Sequence, residues 1–153
     1  KQICNLLIVG SGPDQEKLRG LAKNEIISKT THFYGPCYDE NIISNLIFNS
    51  ICTVSPGNIG LTVINSFTYG TPAITHNNFG NQMPEAEVIK EGITGFFFKE
   101  NDILSLEQAL TDIINSKIDF KAECRRVIDS YYNPTYQVKI LESVLLNKLK
   151  TND

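Results

Sequence analysis

The residues best suited to chemistry lie in the run SPGNIGLTVINSFTYGTP, residues 55–72. A short apolar segment, residues 51–54, leads into a Ser-Pro-Gly-Asn turn. Gly60 opens an amphipathic stretch, Gly70 closes it, and Pro72 precedes another apolar run. A strand, a Gly-rich turn and a helix start in that order make an anion-facing site in open α/β sheets. The first N–H groups of a helix have no intrahelical acceptor, and the helix dipole is positive there. The chemistry expected is phosphate binding.

A second glycine turn, Gly10-Ser11-Gly12-Pro13, follows the apolar run at residues 5–9. It lacks the third Gly of a dinucleotide fingerprint, which disfavours NAD, and reads as a tight turn at a cleft rim. His76 ends a strand-like segment on the side where ligands bind in open sheets. It either meets a ligand or satisfies local backbone. His32 begins a strand and reads as structural. The four cysteines, Cys4, Cys37, Cys52 and Cys124, form no CxxC pair and have only two His for company, which argues against zinc. Cys4 and Cys52 sit in apolar runs, so buried, reduced thiols of a cytosolic protein are expected.

These residues need a scaffold, and 153 residues suffice for one domain with a real core. Apolar strand-like runs at residues 5–9, 31–34, 51–54, 73–75 and 95–98 alternate with helical patterns at 14–24, 39–49, 59–69 and from 101 or 102 to 115. The expected inward faces are Leu18, Leu21 and Ala22, then Ile42, Ile43, Leu46 and Ile47, then Leu106, Ala109, Leu110 and Ile113. Residues 76–84 read as a polar turn and 85–90 as a short helix. Phe96, Phe97 and Phe98 read as core strand. Helices near 119–131 and 134–150 follow, the last striped by Val138, Leu141, Leu145 and Leu149, with a frayed end at residues 151–153. The continuous apolar run at 5–9 suits a parallel strand covered on both faces. The β-α alternation predicts an α/β, Rossmann-like, doubly wound parallel sheet.

A net charge of −3 and a pI near 5.4 argue against a nucleic-acid surface. No apolar run approaches the roughly 20 residues of a membrane-spanning helix. Lys1 is not an initiator Met, so the natural N-terminus is left open.

With the motifs placed, the chain resembles the C-terminal, donor-binding domain of a family 4 (group 1) glycosyltransferase, one half of a GT-B fold. LLIVGSGPDQEKLRGLA resembles the family's L-x-I-V-G-x-G-P segment, and HFYGP its F-x-G strand end. ICTVSPGNIGLTVINSFTYGTPAIT resembles its P-S…G-L…E-A-M-A-x-G-x-P-V-I-A segment, and EVIKEGITGFFF its E-V-V-x-x-G-x-T-G-x-L segment. No single piece is specific; the ordered set, over about residues 5–115, is.

The resemblance implies roles. Gly60, Leu61 and Thr62 would offer backbone N–H groups to a donor diphosphate; alternatively Gly60 merely permits a tight turn. Ser55 and Asn58 would cap the helix or touch the sugar, Asn58 being the better cap by position. Gly35, Pro36 and Cys37 match the place where the family holds the nucleobase through backbone, or form a simple turn. Gly12 lies at the cleft rim, and His76 would meet donor sugar or phosphate. Glu87 fits the family's Pro-Glu position by its spacing to Gly92, Glu85 by its pairing with Pro84. The family's two Glu across the helix opening, one for a sugar hydroxyl and one for the ribose, fall on Gly57 and Asn65 here. Asn65 keeps hydrogen-bonding capacity without charge; Gly57 has no side chain, so that sugar contact is lost or is made by backbone or another residue. No catalytic residue is assigned.

The family's Gly-Arg-Leu…Lys-Gly strand, whose Arg and Lys clamp the diphosphate, would precede this chain. A fragment is therefore expected, inactive by itself, with its own N-terminal acceptor domain upstream. The whole would transfer a sugar, with retention, from a nucleotide-diphosphate donor to a glycan or lipid-linked acceptor in surface polysaccharide synthesis. No cofactor or metal is expected, and no nucleic acid. The location implied is cytoplasmic, with room for peripheral attachment at the inner membrane face through the upstream domain. Two other readings stay open: a non-catalytic GT-B-like nucleotide-binding or interaction domain, and a GT-B-type sugar-nucleotide epimerase.

Overall fold

The computed structural model describes residues 4–150. The frayed end expected at residues 151–153, and the Leu149 side chain, lie outside what is described. The chain forms two compact units, residues 1–44 and 45–153.

In the first unit, β1 (Leu6–Val9) pairs in parallel with β2 (Thr31–Gly35) through α1 (Gln15–Leu21) and α2 (Glu25–Thr30). The single helix expected at 14–24 is shorter, and α2 was not foreseen. Pairing runs Leu6↔Thr31 to Ile8↔Phe33, then slips so that Val9 faces Gly35. Gly10 (φ +133°) and Gly35 (φ +89°) both hold conformations that side chains disfavour, and the Gly10 N–H donates to the Gly35 carbonyl at 2.8 Å. The glycines thus close the two strand ends together. β1 is not covered on both faces: Leu6 and Val9 are exposed. α3 (Glu40–Phe48) begins in the first unit and ends in the second; it opens at Asp39, whose Oδ1 accepts from the Asn41 N–H at 2.9 Å. Ile43, Leu46 and Ile47 are half-buried, whereas Ile42 is exposed, because the helix stripe is narrower than its apolar content.

The second unit carries a parallel sheet in the order β3 (Thr53–Ser55), β4 (Ala73–His76), β5 (Gly95–Phe98). α4 (Thr62–Thr68) links β3 to β4; α5 (Ile103–Asn115), α6 (Phe120–Tyr131) and α7 (Pro134–Lys150) follow β5. Side chains alternate across the sheet. Ala73 joins Ile59, Val63, Phe67, Ala86, Cys124 and Ile128 on one face. Ile74 and Phe98 join Ala109 and Ile113 on the other, with Leu106 and Leu110 packed alongside. Both faces are covered, as the fold class requires. Asp102 and Asp119 cap α5 and α6, accepting from the Ser105 and Ala122 N–H groups.

Further expectations fail: Leu18 and Leu21 of α1 are exposed rather than inward. Val138, Leu141 and Leu145 of α7 are exposed rather than packed, since that helix meets α6 near its start, where Tyr131 and Tyr136 stack edge to face. Of the cysteines, Cys124 is the buried one; Cys4 is exposed and Cys52 half-buried, and none of the four is in a disulfide. Among the described residues no helix is long and apolar enough to cross a membrane.

Candidate functional site

The turn between β3 and α4 is shaped by one side chain that must be buried. Ile59 is fully enclosed in the core, between exposed residues 56–58 and exposed Leu61, so the chain turns on this one anchored side chain before the helix begins. α4 therefore opens three residues later than the periodicity suggested. Its N-cap is Leu61, not Asn58, and no side chain caps it. Leu61 and Thr62 are exposed, as are Gly57, Asn58 and Asn65. Gly60 is half-buried, and a Cβ placed on it would meet only Met83 Cγ, at 3.9 Å. Neither a positive φ nor crowding demands glycine there. Gly57 likewise has nothing within 4 Å of a built Cβ.

Behind this loop stands a polar network. The Thr75 hydroxyl faces the Ser55 carbonyl at 3.0 Å and the Gly57 carbonyl at 3.1 Å. Its one proton serves these acceptors, while its oxygen accepts from Gln82 Nε2 at 2.9 Å. Gln82 Nε2 also donates to the His76 carbonyl at 3.0 Å, and Gln82 Oε1 accepts from the Ile59 N–H at 2.9 Å. Inside the turn, the Ser66 hydroxyl donates to the Thr62 carbonyl at 2.8 Å and so accepts from Thr53 Oγ1, also at 2.8 Å.

His76 lies beneath this layer, 2% exposed. Its Nδ1 accepts from the Asn78 N–H at 3.3 Å, and its Nε2 is 3.9 Å from Glu100 Oε1. Glu100 also accepts from Asn78 Nδ2 at 2.6 Å and Asn81 Nδ2 at 3.3 Å. The two Asn amides, with His76 alongside, hold the Glu100 carboxyl below its ordinary range against the opposing effect of desolvation. His76 thus satisfies local backbone and orders the segment at 77–82, which contains the 3₁₀ turn Phe79–Asn81.

Glu85 and Glu87 lie in a short 3₁₀ helix, Pro84–Val88, where a short helix over 85–90 was expected. Glu85 Oε2 is buried without a partner. Burial first, then the charges of Glu87 and Glu85, raise the Tyr132 hydroxyl above its usual pKa.

The first unit holds the other expected residues. Gly12 lines a cleft of about 320 Å³ with Ile8, Leu18 and Phe33. Gly35 ends β2; Pro36 is exposed and Cys37 half-buried, its Sγ 4.0 Å from the Asp39 carbonyl. Neither Pro36 nor Cys37 lines that cleft. Gln82 and Thr75 were not singled out from sequence. Gln82 sits in a polar turn and reaches a partner 23 residues away, a separation that composition does not reveal.

The fold has clear counterparts among solved structures. A lipopolysaccharide outer core galactosyltransferase, WaaB, matches 94% of this chain with a TM-score of 0.75 and 18% identity. Sucrose-phosphate synthase from Thermosynechococcus elongatus matches 97% with a TM-score of 0.74 and 18% identity. Anabaena HepE, solved with UDP, matches 92% with a TM-score of 0.73 and 14% identity. The chain spans 41%, 39% and 40% of those chains respectively. No curated protein sequence matches. The group 1 glycosyl transferase model matches residues 1–133, which takes in both glycine turns, β5 and α6. The chain belongs to the group 1 glycosyl transferases.

Proposed function

We propose that this chain is the C-terminal, donor-binding part of a family 4, retaining glycosyltransferase that uses a nucleotide-diphosphate sugar. The carrying observation is the start of α4. Its N–H groups are uncapped by any side chain, and it is preceded by a glycine that neither backbone nor packing requires. A helix start of this kind stabilises the negative charge that collects on a leaving diphosphate. Gly60, Leu61 and Thr62 carry that role. Asn65 offers its amide to the ribose, and Gly57 and Asn58 border the sugar. In the first unit, Gly35, Pro36 and Cys37 take the base through backbone and Gly12 forms the rim. His76 acts through the order it gives residues 77–82.

HepE was solved with UDP and with UDP-glucose, and Staphylococcus aureus TarM with UDP and a GlcNAc-glycerol, which makes a UDP-hexose the first donor to test here. The acceptor is a glycan or lipid-linked glycan of a surface polysaccharide, handled by a separate upstream domain of a cytoplasmic protein seated at the inner membrane face.

The test is calorimetry of UDP, GDP, ADP and dTDP with the chain extended upstream through the family's Arg and Lys segment. One nucleotide should bind selectively, and Gly60→Asp should weaken it tenfold or more, about 1.4 kcal/mol. A Cβ at Gly60 meets only Met83 Cγ, at ordinary contact distance, so the variant is expected to fold, which its circular dichroism checks. Equal affinity in the variant overturns the placement. A second reading is favoured by one observation: the family's two carboxylates are replaced by Gly57 and Asn65. Binding of nucleotide without sugar transfer would support that non-catalytic reading.

A further inference from the structure

We infer that Gln82 is a positioning residue for the donor loop, and that only a primary amide at this position can do its work. The inference rests on the donor-site reading above. Three groups converge on the Gln82 side chain from separate places in the chain. The Ile59 N–H needs an acceptor, the His76 carbonyl needs a donor, and the Thr75 oxygen takes a donor while its own proton goes to the Ser55 and Gly57 carbonyls.

The amide orientation is therefore determined. Turned over, its NH₂ would face the Ile59 N–H and its oxygen would face the His76 carbonyl, two repulsive contacts in place of two bonds. A carboxylate could accept from Ile59 but not donate to His76 or Thr75. An aliphatic side chain could do neither, and Asn is one methylene short.

The consequence reaches the loop surface. Ile59 is buried and adjoins Gly60; Gly57 is held through Thr75. The backbone on both sides of exposed Asn58 is thus tied to β4 by one side chain and one hydroxyl. Gly57 and Gly60 are the positions with least conformational restraint of their own, so their placement depends on these bonds. Met83, the next residue, stands nearest to Gly60. Gln82 sets the loop in the shape that meets the donor without touching the donor itself.

The experiment uses the same upstream-extended protein with Gln82→Leu, Gln82→Glu, Thr75→Ser and Thr75→Val. Two quantities are read: native-state exchange of the Ile59 amide, and the dissociation constant for UDP. Both Gln82 variants and Thr75→Val should weaken UDP about tenfold. Gln82→Leu, which removes the acceptor, should also speed Ile59 exchange about tenfold, while Gln82→Glu, which keeps it, should not, the Ile74 and Phe98 amides being unchanged in both. Thr75→Ser, which keeps the hydroxyl, should bind UDP as the unaltered protein does. If Ile59 exchange rises only together with Ile74 and Phe98, Gln82 merely supports the fold and the inference is overturned. If UDP binds equally well to the Gln82 variants while Gly60→Asp abolishes binding, the inference fails and the donor-site reading stands. If the unaltered protein binds no nucleotide, the donor-site reading fails and the inference goes with it.

Discussion

Glu100 shows how a residue outside the loop still bears on it. Its carboxylate collects two Asn side-chain amides from the segment between β4 and the Gln82 turn, and the edge of His76 at the end of β4. Those bonds are stronger to the charged group, so its pKa in the folded chain lies below the ordinary 4.5. A depressed carboxyl contributes stability that is present above its unfolded pKa and is lost as pH falls through the folded value. The midpoint of thermal unfolding should therefore fall on acidification below about pH 4.5. Glu100→Gln should show a shallower decline over the same range, and equal slopes for the two proteins would remove Glu100 from the account. Cys124 is the opposite case. Burial, with the Glu123 charge adding, pushes its thiol up to about 12, and its Sγ lies 3.7 Å from the Thr94 carbonyl. Such a thiol is inert. Iodoacetamide at pH 8 should alkylate exposed Cys4 in the native protein and leave Cys124 untouched until unfolding. Rapid native modification of Cys124 would contradict the closed core around it.

At the scale of elements, β5 depends on one missing side chain. Gly95 lies opposite Ala73, and a Cβ there would fall on the Ala73 carbonyl itself. Backbone cannot give way as a flexible side chain can, so Gly95→Ala should cost about 1–3 kcal/mol, read as a lowered urea midpoint at unchanged slope. A neutral result would mean β4 and β5 are less closely apposed than their register requires. This glycine was legible only as a flank of the strand GFFF; its cause is a pairing partner 22 positions earlier. The strands themselves were legible because continuous apolar runs between Gly and Pro leave few alternatives, and β5 has the bounds its sequence suggested. α2 was not, because six residues carry too little periodicity to separate from a strand approach. The site divides in the same way. The glycine turn before α4 is a local signal and was read from sequence. The delayed helix start follows from the burial of Ile59, and the Gln82 and Thr75 network follows from contacts across the sheet end. No window of sequence contains either.

Across the whole molecule, burial is unevenly shared. Every buried residue among those described lies between Ile59 and Ile128, on the two faces of the β3–β4–β5 sheet and the helices against it. The first unit has a parallel strand pair and clear glycine closure, yet none of its described side chains is buried, and Leu6 and Val9 are 51% and 44% exposed. Opening free energy follows buried apolar contact. In native-state hydrogen exchange the amides of Ala73–His76 and Gly95–Phe98 should report the largest protection, and those of Leu6–Val9 and Thr31–Gly35 should exchange at least tenfold faster. If the chain continues a longer donor-binding domain, extending it upstream through the Arg and Lys segment should raise protection at Leu6–Val9 and leave Gly95–Phe98 unchanged. Equal protection of both sheets in the unextended chain would show that the β1–β2 pair is held by something other than burial. The case for a strand beside it would then lose its physical basis.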